Sequence, residues 1–114
     1  QTKAAIARAK IAFENQQYNV QLERLHLRED IQKAYFDSKA SLKKFRASKI
    51  SVGALQESFN YSKQRLDAGM ETVVEFNDSK NKLARSKSEL VQAKYDFIYK
   101  TKILEFYQGK SLAF

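Results

Sequence analysis

Large apolar residues recur every seven positions along most of the chain. In the second half they are Phe76, Leu83, Leu90, Phe97 and Leu104, followed three residues on by Ser79, Ser86, Ala93, Lys100 and Tyr107. In the first half the row is Ile31, Ser38, Phe45, Val52, Phe59 and Leu66, with Ala34, Ser41, Ser48, Leu55 and Ser62 three positions on. A strict seven-residue repeat keeps one helical stripe facing a partner only if the helices wind around each other with left-handed supercoil. The many small residues in the second row of each half allow close backbone approach and leave room for large side chains to interdigitate.

The breaks in this pattern are few. Gly69 follows Leu66-Asp67-Ala68, where a glycine just past a helix end supplies the left-handed conformation at little cost. Thr72-Val73-Val74-Glu75 then has the form of a capping box, in which hydroxyl and carboxylate satisfy backbone amides reciprocally. Stop followed at once by start predicts a helix over 2–68, a tip turn at 69–71 and a return helix over 72–108. Gly109 is expected to end the return helix and open a tail over 109–114, whereas Gly53, inside a periodic stretch, is read as tolerated within its helix. The two helices would measure about 100 and 55 Å. Folding the chain at Gly69 sets Leu66 opposite Phe76, Phe59 opposite Leu83, Val52 opposite Leu90 and Phe45 opposite Phe97. The fold class is therefore all-α: one long antiparallel helical hairpin, or coiled coil, with very unequal helix lengths.

A hairpin of two helices buries one stripe on each, and this chain has more. Ile6, Phe13, Val20 and Leu27 form one further row, Ile11, Tyr18 and Leu25 another, and Ala84, Val91 and Ile98 a third. Residues 2 to about 30 also extend past the reach of the return helix. Such a chain is expected to associate with itself, or to be a helical piece of something larger.

Composition narrows the chemistry. With no proline, three glycines and no cysteine in 114 residues, the chain lacks the turns of a β-sandwich or barrel and the thiols of a disulfide scaffold. His26 is the single histidine, and its acidic neighbours Glu23, Glu29 and Asp30 suit a helix surface better than a ligand set. No catalytic, cofactor-binding or metal-ligating arrangement is expected: the serines have no base placed for them, and the glycines are too scattered to cradle a phosphate. No apolar run is long enough to span a membrane as a helix, and the first dozen residues lack the apolar core of a signal peptide.

The net charge of +8 is unevenly spread. Asp67, Glu71, Glu75 and Asp78 cluster at the turn with no Lys or Arg among them, giving an acidic tip on a basic stalk. Compensation of a helix N-terminus explains Glu71 and Glu75. It does not explain Asp67, at the C-terminal end of its helix.

From about Glu29 to Gly109 the sequence resembles the TolC family of outer-membrane efflux proteins. The residues that carry the likeness are Ala34-Tyr35-Phe36, Arg65-Leu66-Asp67-Ala68-Gly69, Glu71-Thr72-Val73-Val74-Glu75-Phe76, Leu83 to Leu90, Ala93-Lys94-Tyr95-Asp96-Phe97, and Leu104 to Gly109. In this order they match the helical hairpin of the family's second structural repeat. The resemblance implies a homotrimer whose helices form a periplasmic tunnel below an outer-membrane β-barrel that this chain does not include. It also implies tips that dock on a periplasmic adaptor and an inner-membrane pump in a Gram-negative bacterium. Glu75 and Asp78 match the acidic residues lining the entrance, while Gly69, Met70, Glu71, Thr72, Val73 and Val74 fall in the adaptor-docking tip. The chain departs from the family at Leu66 and Glu71, where a well-known member carries an aromatic residue and an arginine that hold its tip closed.

Two other readings suit a long basic hairpin: the coiled-coil hairpin of a periplasmic adaptor, and a generic basic coiled-coil interaction module. The hairpin of a periplasmic adaptor is also long and heptad-based, but its tip typically carries Arg-x3-Leu-x6-Ser; here Arg65 is followed four residues on by Gly69. A basic coiled coil for nucleic acid would use the clusters Lys39, Lys43, Lys44, Arg46, Lys49 and Lys80, Lys82, Arg85, Lys87. Its aromatic residues, however, fall mostly at seam positions rather than on a face open to base stacking, so nucleic acid is not expected as a partner.

Overall fold

The computed structural model describes residues 2–112, with side chains placed for 2–110. It is a helical hairpin of two elements, α1 (Thr2–Asp67) and α2 (Val73–Leu112), measuring 99 × 22 × 13 Å. The long dimension is the length of α1 itself, as expected from 1.5 Å of rise per residue without proline to interrupt it.

The seam follows the seven-residue rows. Ala34, Ser38, Ser41 and Ser62 of α1 and Leu83, Ser86 and Ala93 of α2 are buried. Ile31, Phe45, Ser48, Val52, Leu55, Phe59 and Leu66 are half-buried, as are Phe76, Ser79, Leu90, Phe97, Lys100, Leu104 and Tyr107. Nearly all the buried positions hold small residues because a two-helix seam is narrow. Only a short side chain fits wholly between the backbones, and long ones reach its edges. Two of the buried serines find partners within the seam: Ser41 Oγ donates to the Ser38 carbonyl at 2.7 Å, and the Ser38 and Thr101 hydroxyls lie 3.4 Å apart across it. Without those bonds each buried hydroxyl would carry an uncompensated desolvation cost of ~1–3 kcal/mol.

Aromatic pairs fix the register. The rings of Phe45 and Phe97, expected to be opposite, stack with centroids 6.1 Å apart and planes 17° apart. Phe59, expected opposite Leu83, has its ring 5.3 Å from that of Phe76, one heptad nearer the tip. A knob reaches into a hole formed by four residues of the facing helix, so it can meet a residue of the adjacent layer. Each aromatic pair is worth about 0.5–1.5 kcal/mol beyond its buried area.

The turn is a Schellman motif. Gly69 has φ of 73°, the single positive φ among the described residues. Its amide donates to the Leu66 carbonyl at 3.0 Å and the Met70 amide to the Arg65 carbonyl at 2.8 Å, the paired bonds that close a helix C-terminus. Gly109 behaves otherwise. It does not end α2, which continues to Leu112. A glycine permits the left-handed turn without forcing it, and Gly109 keeps a negative φ. Of the expected tail, residues 113 and 114 lie outside the described residues.

Above α2, α1 runs alone. Residues 2–26 are all exposed, including Ile6, Phe13, Tyr18 and Leu25. This overhang is about 37 Å long.

The glycines separate two effects. A Cβ built on Gly53 or Gly69 meets nothing within 4 Å, so substitution acts through the backbone alone. Gly53→Ala is expected to stabilise the hairpin by about 0.8–1 kcal/mol through helix propensity. Gly69→Ala is expected to destabilise it by about 1–2 kcal/mol through the left-handed φ. Urea unfolding followed by circular dichroism measures both, and shifts of the same sign would refute this account of the turn.

Candidate functional site: the hairpin tip

The tip is built by the Gly69 turn and by the cap of α2. Thr72 is the N-cap: its Oγ1 accepts from the Glu75 amide at 3.2 Å, and its carbonyl accepts from the Phe76 amide at 3.0 Å. The reciprocal arm of the capping box, from the Thr72 amide to the Glu75 carboxylate, is not formed among the described residues. Glu75 is exposed in the first turn of α2, where the helix dipole favours a negative charge.

Glu71 has a different task from the one its place in the sequence suggested. It precedes the N-cap, outside α2, and folds back onto α1, where Ser62 Oγ donates to its Oε1 at 2.6 Å. Ser62 is buried, and the second carboxylate oxygen of Glu71 is buried with no hydrogen-bond partner. One bond to a carboxylate thus ties the tip segment to the last small residue of the α1 seam. Asp67 closes α1 and is exposed, with Arg65 in the same final turn lying over the Tyr61 ring at 5.8 Å.

Around this frame the tip presents two kinds of surface. Met70, Val73 and Val74 are 73%, 63% and 78% exposed, an apolar cap at the very end of the hairpin. Glu75 and Asp78, three residues apart, lie on neighbouring positions of one helix face. Asp78 Oδ2 is 3.2 Å from Lys82 Nζ, and both side chains are largely in solvent, so the pair is worth little and leaves much of the negative potential open. Glu75 forms no ion pair among the described residues. The structure thus brings Gly69, Met70, Glu71, Thr72, Val73, Val74, Glu75 and Asp78 to one end, but Glu71 faces inward and the rest outward. Chemically, the arrangement offers an apolar surface and a local negative potential. His26 lies far up α1, exposed, with Nδ1 3.7 Å from Glu29 Oε2.

A family model described as outer membrane efflux protein matches residues 1–107, which takes in the overhang, both helices and the tip. The chain belongs to this family. No curated protein and no solved structure matches it. Outer membrane efflux proteins are transport proteins and not an enzyme family.

The tie between Ser62 and Glu71 is what sequence reasoning missed in this efflux-family tip. Ser62 reads as one more small seam residue and Glu71 as one more acid at a helix start. The available signal was the cap: with Thr72 as N-cap, Glu71 cannot lie in the first turn and its carboxylate must go elsewhere. Ser62→Ala is expected to destabilise the hairpin by about 1–3 kcal/mol, because it strands a part-buried carboxylate. Adding Glu71→Ala should recover part of that loss. A double-mutant cycle by urea unfolding checks this; strictly additive losses would mean that the bond does not couple the two residues.

Proposed function

We propose that the hairpin is a wall segment of the periplasmic tunnel of a trimeric outer-membrane efflux channel in a Gram-negative bacterium. Its tip forms the inner entrance. The membership of the chain in the outer membrane efflux protein family supports this reading, as do apolar rows that two helices alone leave uncovered. Met70, Val73 and Val74 supply an apolar docking surface for the hairpin of a periplasmic adaptor, which in turn joins an inner-membrane pump. Gly69 and Thr72 hold that surface in shape through the turn and the cap.

The observation that carries the entrance role is the exposed pair Glu75 and Asp78 beside the end of the hairpin. In a trimer each contributes three times to a ring of carboxylates. Such a ring concentrates cations at a constriction and slows their passage, as rings of acidic side chains do in cation-selective pores. Lys82 offsets part of the charge of Asp78, while Glu75 has no such neighbour, so Glu75 dominates the field.

In the full-length channel, Glu75→Ala with Asp78→Ala is expected to raise single-channel conductance and to weaken block by divalent cations, with Glu75→Ala alone giving the larger share. Planar-bilayer recording reads both quantities. Unchanged conductance and block in the double variant would remove these two residues from the entrance.

A further inference from the structure

The two flanks of the seam differ in charge, and the acids of the tip belong to one of them. Glu75, Lys82, Glu89 and Asp96 are seven residues apart and form a single row on α2, beside the seam. A row at this spacing keeps one facing along the whole of a supercoiled helix. Asp78, Arg85 and Gln92 form the next row outward on the same side. Lys44 and Ser48 of α1 line one groove with Glu89, Gln92 and Asp96, and Lys44 and Ser51 line the adjoining groove with Ser86 and Glu89. The corresponding row on the opposite side of α2 carries Lys80, Lys87 and Lys94 and no acid.

Half of the carboxylates on the first flank of α2 have a cation in place. Asp78 Oδ2 is 3.2 Å from Lys82 Nζ, and Asp96 Oδ2 is 3.4 Å from Lys100 Nζ. Glu75 and Glu89 are both exposed, and neither forms an ion pair among the described residues. Two cations are placed to answer Glu89: Lys44 across the groove and Arg85 one turn earlier on the helix. Neither closes on it. Glu75 and Glu89 are thus two unpaired negative charges on one row, about 21 Å apart along α2.

We propose that Glu89 forms a second ring of carboxylates within the tunnel, about 21 Å from the ring of Glu75, and that it takes part in selecting the solutes that pass. The proposal rests on the entrance role of Glu75 and Asp78. With those two turned to the axis, the row that holds Glu75 is turned there too, and the lysines of the other flank stand on the outside of the wall. In a trimer Glu89 occurs three times at one level. A narrow aqueous path between walls of low dielectric focuses the field of such a ring, and like rings along the path add. Cations therefore meet two negative levels in series, with Lys82 between them. The solutes favoured by this lining are cations, organic amines among them.

The test uses the full-length channel in a planar bilayer with Glu75 and Asp78 intact. This chain has no cysteine, so Glu89→Cys gives it a single thiol. A water-soluble cationic methanethiosulfonate should react there and shift the reversal potential in a salt gradient toward anion permeability. Glu89→Gln should shift it in the same direction by less. Lys87→Cys and the unaltered channel, given the same reagent, should keep their reversal potentials. Each channel is its own reference before the reagent is added, so a folding defect cannot produce the shift. No response at Glu89→Cys, in a channel whose conductance does respond to Glu75→Ala with Asp78→Ala, would overturn the second ring and leave the entrance standing. A shift at Lys87→Cys as large as that at Glu89→Cys would overturn the assignment of the two flanks.

Discussion

Everything in this molecule depends on a seam one side chain wide. Two helices can bury only a narrow stripe, and small residues let their backbones approach closely between the pairs of large ones. Ala34, Ser38, Ser41 and Ser62 on α1 and Ser86 and Ala93 on α2 provide the close approach; Phe45, Phe59, Phe76 and Phe97 fill the edges. Serine at several of these places keeps the helices close and brings a hydroxyl that gains from an acceptor. The bonds of Ser41 to the Ser38 carbonyl and of Ser62 to Glu71 supply it. The seam therefore determines the register, and also a part of the polar chemistry at the tip.

The tip inherits its geometry from how the seam must end. Reversal of direction requires a left-handed residue, and Gly69 provides it with its two Schellman bonds. Reversal also requires that α2 start at once, which Thr72 accomplishes as N-cap. With both ends capped, five residues suffice to turn the chain. Too few remain to bury Met70, Val73 and Val74, so the hairpin ends in an apolar surface flanked by carboxylates. Exposure there is a consequence of tightness.

How much of this the sequence disclosed varies with the range of the interaction. The seven-residue rows, the turn at Gly69 and the opposition of Phe45 and Phe97 were legible, because periodicity and glycine chemistry are local signals. The end of α2 was not. Gly109 looks like Gly69 in one dimension, but among the described residues only Gly69 takes the left-handed φ, and there the turn gains packing of α2 on α1 in exchange for helical bonds. The inward turn of Glu71 was hidden for a related reason, since Ser62 and Glu71 come together only across the finished turn. Glu75 and Asp78 were singled out by the family resemblance; that Lys82 pairs with Asp78 and leaves Glu75 alone could be seen only in the folded tip.

The surface area makes the case for assembly independently of any tip residue. A compact protein of this mass exposes about 6,400 Å², whereas the hairpin exposes 9334 Å². The excess is roughly 2,900 Å², more than three times what one partner contributes to a standard interface of ~1,600 Å² in total. It is concentrated where apolar side chains stand uncovered: along the overhang at Ile6, Phe13 and Tyr18, and on α2 at Val91 and Ile98. Among the described residues no side chain is wholly buried, so the hydrophobic term holding α1 to α2 is small for a chain of this length. A wall element meets these conditions well. It needs only enough internal cohesion to keep its register, because neighbours on several faces complete its core. The two flanks of the seam also differ in charge, acids and lysines sharing one groove and lysines without acids the other.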